Sequence, residues 1–438
     1  MTDSRVHDGD RLDPVLADPA GAPPGGWTNP RGGYLFFTAF AAIGAGMGSL
    51  VPAVLTLALK AKEIDPDNAT TILGVVVGIA GLAGLVAFPA LGRISDRTTS
   101  RLGRRRPFLL LGAALFAIGA VGILLSTNVP LLIVSDVITA VAYSSVMVAV
   151  TATIADQFEP LRRGPASAVV GLSLPLGALV GLGIATAVAS SLTLQIVLPA
   201  VVAVIGTVLL AFRLSDRTLA ADERPHFGWT QALGTFFVSP VRYPNFALAW
   251  WSRFLIYFGV AALQAYQVFY LIFRLRFDAV SVASGVFLTT VALVVGALVF
   301  APIAAKVSDR VGRRKPFVIV AAVIFAIGLV LAANAHDFAS FMIASLVVGI
   351  GQGVYFSVDI ALVTQILPDP TNPAKDLGIM NLASTLPMAV TPLIAPVVLA
   401  IGALSPAPPD QNYSALFLLG AVAGIVGAVL ILPIRRVR

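Results

Sequence analysis

Twelve long runs of apolar residues constrain this chain more than any other feature. Each run can supply the roughly 20 apolar residues with which a helix crosses the hydrocarbon core of a bilayer. An unpaired backbone group in hydrocarbon costs several kcal/mol, so such runs must be helical. The sequence therefore predicts an all-α integral membrane protein. The runs lie at about 34–58, 70–92, 107–127, 130–154, 165–190, 193–212, 246–272, 281–305, 316–334, 338–366, 377–402 and 412–433.

The composition excludes a soluble protein and most metal or haem enzymes. Hydrophobic residues make up 58% of the 438 residues and charged residues 12%, whereas a globular chain has about 45–50% and about 25%. The chain has no cysteine, which excludes disulfides, thiolate metal sites and iron–sulfur clusters. Its three histidines, His7, His226 and His336, lie far apart in sequence. We therefore expect no metal, no cofactor and no enzymatic activity.

The runs form two sets of six on either side of a polar segment. This order predicts twelve transmembrane helices in two pseudo-symmetric six-helix bundles, at 33–212 and 245–434. Residues 1–32 are polar and rich in Pro and Gly, which predicts a disordered tail. The segment 213–244 is predicted to be a linker, and residues 435–438 a basic C-terminus.

The positions of Lys and Arg predict the orientation of the helices. Basic residues are retained on the cytoplasmic side of a membrane. With the N-terminus inside, only four basic side chains fall on the outer side, and a fifth, Arg253, lies within a run. We therefore expect a multi-pass protein of the cytoplasmic membrane with both termini cytoplasmic, and no nucleic-acid partner despite the sequence pI of about 9.9. The four outer residues are Lys60, Lys62, Arg274 and Arg276.

One basic motif occurs twice, at equivalent places in the two sets of runs. The loop after the second run reads GRISDRTTSRLGRRRPF at 92–108, and the loop after the eighth reads SDRVGRRKPF at 308–317. Parallel repeats of six spans are one plan of secondary transporters, in which the ligand site lies near the membrane midplane between the halves. No P-loop motif occurs, so nucleotide hydrolysis is not the expected energy source.

These two loops resemble the cytoplasmic signature of the major facilitator superfamily. The insertion between SDR and GRRRPF is similar to that of its sucrose and glycoside symporters. The resemblance implies the major facilitator fold, a small-molecule substrate, and a gate at the inner end that closes when the transporter faces outward. It implies gating roles for Gly92, Asp96, Arg97, Gly103, Arg104, Arg105, Asp156, Asp309, Arg310, Gly312, Arg313 and Arg314.

The residues of the first loop allow more than one interpretation. Gly92 permits a neighbouring helix to approach closely, and Asp96 places an anion where a helix N-terminus could hold it. Arg97 and the triplet Arg104–Arg106 could pair with Asp156 or Glu159, or with lipid phosphate. A pure topology signal is the alternative for the triplet and for Asp96.

Three of the spans carry polar side chains at helical spacing. Ionisable groups inside a span usually mark a pathway or a pair, and residues three, four or seven apart share a helix face. Spans 4, 7 and 10 therefore each turn a polar face toward something wetter than lipid, which predicts a shared cavity. The faces comprise Asp136, Thr139, Tyr143, Met147 and Thr151 in span 4; Arg253, Tyr257, Gln264 and Gln267 in span 7; and Ser345, Gln352, Tyr355 and Asp359 in span 10.

Arg253 and Asp359 lie at similar depths and are predicted to form an ion pair. Our hypothesis is that Asp359 binds a coupling proton while Arg253 holds this carboxylate or a polar substrate; the alternative is a permanent structural pair. Asp136 is a second candidate proton site, and a charge stabilised by its helix N-terminus is the alternative.

Substrate contacts are predicted for a further set of side chains on the same faces. The tyrosines among them either stack on a sugar ring or pack on each other. With Arg253, the predicted substrate-binding residues are Tyr143, Tyr257, Gln264, Gln267, Gln352 and Tyr355.

The sequence favours a proton-coupled transporter that imports a sugar or glycoside by alternating access. A proton-coupled exporter of amphipathic drugs is the alternative within the same superfamily. A membrane receptor or scaffold without transport is a third possibility. Membrane lipid is the expected surrounding partner, and a monomer is the expected state.

Overall fold

The computed structural model describes residues 32–158, 163–216, 218, 238–363, 366–368, 373–405 and 407–434. The predicted tail up to residue 31, most of the linker, Glu159 and the C-terminus from 435 onward lie outside the described residues. Within these described ranges the regular structure is helical and includes no strand. The predicted all-α class is confirmed.

Among the described residues, twelve helices are long and apolar enough to cross a membrane, as predicted. We number them in chain order, and call α1–α6 the N-half and α7–α12 the C-half. They are α1 Tyr34–Ile64, α2 Ala69–Asp96, α3 Arg106–Leu125, α4 Val129–Gln157, α5 Gly164–Ala187, α6 Leu192–Arg213, α7 Pro244–Arg274, α8 Ser281–Val311, α9 Lys315–Ala333, α10 Phe338–Val363, α11 Pro373–Leu399 and α12 Tyr413–Ile431.

Two helices extend about six residues beyond their apolar runs. Helix α1 continues to Ile64 through a π-helical stretch at Pro52–Thr56, and α8 continues to Val311. The added turn of α8 contains Lys306, Asp309 and Arg310. An apolar run marks the part of a helix that meets lipid, whereas the backbone hydrogen bonds of the helix continue into water.

The hydrophobic core is organised differently at the two ends of the helical bundle. We call the end with the loops 97–105 and 312–314 the basic end. One cluster there contains only N-half residues, such as Tyr34 and Leu210, and a second contains only C-half residues, such as Phe246 and Ile431. At the opposite end a single cluster combines both halves, from Val51 to Phe417. The two halves therefore share a core only at the opposite end.

The halves are joined at the opposite end by close helix contacts, which we call the joint. Helix α2 packs against α11, and α5 against α8. The Tyr266 hydroxyl of α7 donates to the carbonyl oxygens of Thr70 on α2, at 3.3 Å, and Pro392 on α11, at 3.1 Å. The Lys62 ammonium of the N-half lies 5.4 Å from the ring centre of Phe273 in the C-half.

Near the basic end, helices α5 and α11 face open space. A Cβ atom placed on Gly164 or Gly171 of α5, or on Gly378 of α11, would meet nothing within 4 Å. Together with the separate cores, this shows that the described residues are closed at the opposite end and open between the two halves at the basic end.

At the opposite end of the C-half, aspartates in two loops cap the helices that follow them. The Asp278 carboxylate accepts the Ser281 backbone N–H at 2.6 Å at the start of α8, and Asp337 accepts that of Ser340 at 2.7 Å at the start of α10. Hydrogen bonds from Ser281 and Ser340 lower the pKa of each carboxyl below its ordinary value. These carboxylates serve helix N-termini and are separate from the charges inside the spans.

Replacing Gly74 by Ala should weaken the joint. The added Cβ would overlap the Pro392 carbonyl oxygen and lie 3.0 Å from the Tyr266 hydroxyl. Overpacking of this kind costs about 1–3 kcal/mol, and it arises only while the opposite end is closed. We therefore expect Gly74→Ala to favour opening at that end.

The opening is measured with a cysteine introduced as Thr70→Cys, since the chain has no cysteine of its own. The rate at which a polar maleimide labels this cysteine in detergent reports how often the opposite end is open. The control is Gly84→Ala on the same helix, where the new Cβ would lie 3.7 Å from Ala140, an ordinary contact. Equal labelling rates in the two variants would contradict the assignment of Gly74 to the joint.

Candidate functional site

A buried ion pair links α7 and α10 in the basic-end half of the C-half. The Arg253 guanidinium contacts the Asp359 carboxylate through Nη2, and the two side chains are only 11% and 10% exposed. Arg253 Nη1 also donates to the Met380 carbonyl oxygen of α11, at 3.2 Å. The predicted pair is therefore present, and it ties three helices together. Arg253 Nε is buried and has no hydrogen-bond partner among the described residues.

Two tyrosines lie near this pair, and a buried amide lies on the same helix as Asp359. Tyr257 and Tyr355 both interact electrostatically with Arg253. The rings of Tyr257 and Phe356 lie 5.7 Å apart. Gln352 stands two turns before Asp359 on α10, and its Oε1 atom is buried with no hydrogen-bond partner among the described residues. We call Arg253, Tyr257, Gln352, Tyr355 and Asp359 the polar cluster.

The two remaining predicted residues of α7 lie closer to the joint. Gln267 is buried, and its Oε1 accepts the Thr289 hydroxyl of α8 at 3.2 Å. Gln264 is half-buried one turn earlier. The structure thus engages Gln267 with α8, and places it more than three turns along α7 from Arg253.

The polar face of α4 contributes one buried carboxylate from the N-half. Asp136 is 7% exposed, and no ion pair for it is found in the described part of the chain. Asn128 already caps α4 by accepting the Leu131 N–H at 2.9 Å. Asp136 is the eighth residue of the helix, beyond the first turn where a helix dipole acts strongly. This geometry disfavours the helix N-terminus as the explanation of Asp136.

The other members of the α4 face are less polar in the structure than in the sequence. Thr139 and Thr151 donate to carbonyl oxygens of their own helix, those of Ser135 at 3.0 Å and Met147 at 2.7 Å. Tyr143 is partly buried against the N-half cluster of the basic end. Its substrate contact remains a prediction.

Arg105 is the centre of the first basic motif. Its guanidinium contacts Asp96 at 2.9 Å, Asp156 at 2.9 Å and the Ser95 hydroxyl at 2.7 Å. Arg104 adds a second contact to Asp96, at 3.0 Å. Asp96 therefore pairs with arginines of the following loop, and the structure ties the ends of α2 and α4 to the start of α3.

The members of the arginine triplet have different partners. Arg106 forms no ion pair in the described residues; it donates to the carbonyl oxygens of Ala211 and Leu214 at the end of α6, both at 2.8 Å. The close helix approach predicted at Gly92 is not seen in this conformation, because a Cβ there would lie 3.9 Å from Val148.

Within the part of the chain that the structure describes, the second copy of the motif is looser. Arg314 lies 3.6 Å from Asp309, which is 71% exposed. Gly103 and Gly312 both have positive φ, +106° and +64°, and form the turn before the next helix in each copy. Arg310 and Arg313 are exposed, and Arg97 follows the last residue of α2.

Sequence reasoning missed several residues of these sites. The Met380 and Leu214 carbonyls are backbone groups, which carry no residue signature. Asp216, which accepts the backbone N–H groups of Arg105 and Arg106, had a signal: Ser-Asp-Arg occurs at 95–97, at 308–310 and again at 215–217. This third occurrence, placed directly after a span, marks a further charged site at the basic end.

The family model described as Major Facilitator Superfamily matches residues 35–299 and 284–438.

Among curated proteins, the chain is 36% identical over 95 residues to multidrug resistance protein MdtL of Klebsiella pneumoniae (strain 342), covering 22% of this chain and 23% of that protein. It is 23% identical over 269 residues to multidrug resistance protein 2 of Bacillus subtilis (strain 168), covering 60% and 64%. It is 37% identical over 76 residues to sucrose transport protein SUT3 of Oryza sativa subsp. indica, covering 17% and 15%.

The matched regions thus span less than two thirds of each of these relatives. Solved structures are similar over far more of the chain. The nucleoside transporter NupG matches with a TM-score of 0.70 and 13% identity, covering 92% of this chain and 99% of that one. A D-xylose–proton symporter matches with a TM-score of 0.68 and 15% identity, covering 92% and 97%. At these identities the likeness shows the fold alone.

Removing one member of the buried pair should destabilise the protein more than removing both. Arg253→Met leaves the Asp359 carboxylate unpaired, Asp359→Leu leaves the guanidinium unpaired, and breaking a buried pair in this way costs about 3–5 kcal/mol. The double variant leaves neither charge, so we expect it to recover most of this loss. Thermal unfolding in detergent measures all four proteins; additive losses in the double variant would show that the two charges are not coupled.

Proposed function

The chain belongs to the Major Facilitator Superfamily, and on that premise we propose that it is a secondary active transporter that couples protons to the movement of a small polar solute. The observation that carries this proposal is the buried Arg253–Asp359 pair. Two turns from Asp359 on the same helix, the Gln352 amide oxygen is buried and has no hydrogen-bond partner among the described residues. A fixed charge pair within a membrane span is the kind of group that marks a proton or substrate pathway.

Alternating access is supported by the asymmetry between the two ends of the bundle. The halves share a core and the joint at the opposite end, while their cores are separate at the basic end. In our proposal this is one of two states. In the other, the joint opens and the basic end closes, so that the polar cluster faces one side of the membrane at a time.

Proton coupling follows from the chemistry of the pair. A proton on the Asp359 carboxylate removes its charge and with it most of the attraction for Arg253. The guanidinium keeps its contact with the Met380 carbonyl, and its released donors become available to a solute oxygen. Loss of the proton restores the pair and displaces the solute. Asp136, on the N-half, is the second proton site in this proposal.

The proposed substrate is a sugar or glycoside. A hydroxyl-rich solute needs donors such as Arg253, acceptors such as the Gln352 amide oxygen, and aromatic faces such as Tyr257. These groups occur together in the polar cluster. The matched segment of a rice sucrose transport protein and the fold shared with a D-xylose–proton symporter support this choice.

Export of amphipathic compounds is the second candidate function. The segments similar to two multidrug resistance proteins favour it. The same machinery then runs as an exchange, in which the proton and the compound cross in opposite directions. The two functions differ in which solute moves and in which direction.

We place the protein in the cytoplasmic membrane, as a monomer, with the basic end and both termini on the cytoplasmic side. The support for this orientation is the distribution of Lys and Arg. The state open at the basic end is then the inward-facing state.

Reconstitution into liposomes distinguishes these functions. With an imposed proton gradient, we expect the purified protein to accumulate a labelled disaccharide, and a proton conductor to abolish this accumulation. Gradient-driven expulsion of a hydrophobic dye, without disaccharide uptake, would establish the exporter instead. If neither uptake nor expulsion is observed, the protein is a membrane receptor or scaffold without transport.

Asp359→Asn should separate transport from coupling. The amide retains an oxygen for Arg253 but cannot bind and release a proton, so accumulation driven by a proton gradient should be lost, while exchange of labelled for unlabelled solute continues. The control is Asp67→Asn, in the exposed loop between α1 and α2. Gradient-driven accumulation by Asp359→Asn at the rate of the control would eliminate Asp359 as the proton carrier.

A further inference from the structure

Asp216 holds the start of α3 from outside that helix. Its Oδ2 atom accepts the backbone N–H groups of both Arg105, at 2.7 Å, and Arg106, at 2.6 Å. Backbone N–H groups at a helix start have no acceptor within the helix, and a carboxylate there is also attracted by the helix dipole. Asp216 lies three residues after the end of α6, so the cap comes from the far end of the N-half sequence.

Arg106 makes the reciprocal contact. Its Nε donates to the Ala211 carbonyl oxygen and its Nη2 to that of Leu214, both at 2.8 Å. Ala211 lies in the last turn of α6 and Leu214 directly follows the helix; carbonyls at a helix end lack donors within the helix and favour a cation. The start of α3 and the end of α6 each supply the charge that the other requires. We call this arrangement the α3–α6 clamp.

The clamp is closely fitted around Asp216. The Gln157 side chain of α4 donates to the Ser215 carbonyl oxygen at 3.3 Å, so three consecutive residues after α6 are each held. Gly103 has φ of +106°, and a Cβ there would overlap the Asp216 carboxylate. Two separate reasons therefore require glycine at this position: its backbone conformation, and the Asp216 carboxylate, which occupies the space of a side chain.

The clamp acts on the residue at the centre of the gating motif. Asp216 fixes the Arg105 backbone, while the Arg105 guanidinium joins Asp96 and Asp156 at 2.9 Å each. Arg105 is the most enclosed of these side chains, at 5% exposed, against 52% for Asp96. Its reach to both carboxylates depends on where its backbone is held.

As far as the structure describes the C-half, it repeats only the basic side of the clamp. Lys315, at the position of Arg106, donates to the Ile434 carbonyl oxygen after α12. The residues that follow Ile434 are Arg-Arg-Val-Arg, so an arginine stands at the position that corresponds to Asp216. A Cβ on Gly312 would meet nothing within 4 Å. The Asp309–Arg314 contact there is correspondingly long, at 3.6 Å.

We propose that Asp216 is a positioning residue of the inner gate: through the backbone of Arg105 and Arg106 it keeps the N-half gate assembled in the open state. The N-half then presents a preformed charged surface, onto which the looser C-half motif closes. This inference rests on the proposed alternating access, and it assigns the two copies of the motif unequal parts in it.

The test measures closure of the basic end directly. Spin labels are attached to cysteines introduced as Gly164→Cys and Gly378→Cys, one in each half and both in open space. Pulsed electron paramagnetic resonance then measures the distance between the halves. We expect Asp216→Ala to reduce the closed fraction about five-fold, the low end of typical coupling between sites. Asp216→Asn keeps one oxygen for the two N–H groups but no charge, and should give a smaller reduction. Ser215→Ala is the control, because the backbone of Ser215 supplies its contact with Gln157.

Melting temperatures of the same variants separate positioning from simple capping. If Asp216→Ala lowers the melting temperature but gives the distance distribution of Ser215→Ala, Asp216 is a helix cap only and the proposal is overturned. Where Asp216→Ala does not fold, Asp216→Asn decides the outcome by the same comparison. The distances need no substrate, so a failed liposome assay would reject the proposed transport without changing this result.

Discussion

Hydrocarbon offers no hydrogen-bond partner, and the arrangement of polar groups inside the spans follows from that constraint. Each span must satisfy its backbone within its own helix, and many polar side chains in the spans do the same. Thr139 and Thr151 donate to the carbonyls one turn back. A charged group cannot be satisfied in this way. Arg253 and Asp359 therefore pair with each other across two helices.

The fold was predictable because its main determinant is local. The length of an apolar run decides whether a helix crosses the bilayer, and all twelve runs became helices. The ends of α1 and α8 were missed, because hydropathy reports contact with lipid and the helices continue beyond it. The boundaries of the two bundles remain a prediction. The joint was also invisible in the sequence, since close packing at Gly74 depends on which helix lies opposite.

The candidate site was predictable to the extent that its residues share a helix face. The spacing of Arg253 and Asp359 in their spans placed them at one depth, and the structure pairs them. Spacing does not give the rotation of one helix relative to its neighbours, and for this reason the contact of Gln267 with Thr289 of α8 was not foreseen. Nor does it identify backbone acceptors such as the Met380 carbonyl.

The acceptors of Tyr266 in the joint have an evolutionary consequence. Both are main-chain oxygens, those of Thr70 and Pro392, and any amino acid at either position would supply the same atom. These two hydrogen bonds of the joint thus tolerate substitution at both acceptor positions, and only their donor, Tyr266, requires a particular side chain. A lineage that exchanged this tyrosine for phenylalanine would keep the shape of the joint and lose this hydroxyl, which would give a protein of similar architecture that opens more easily at the opposite end.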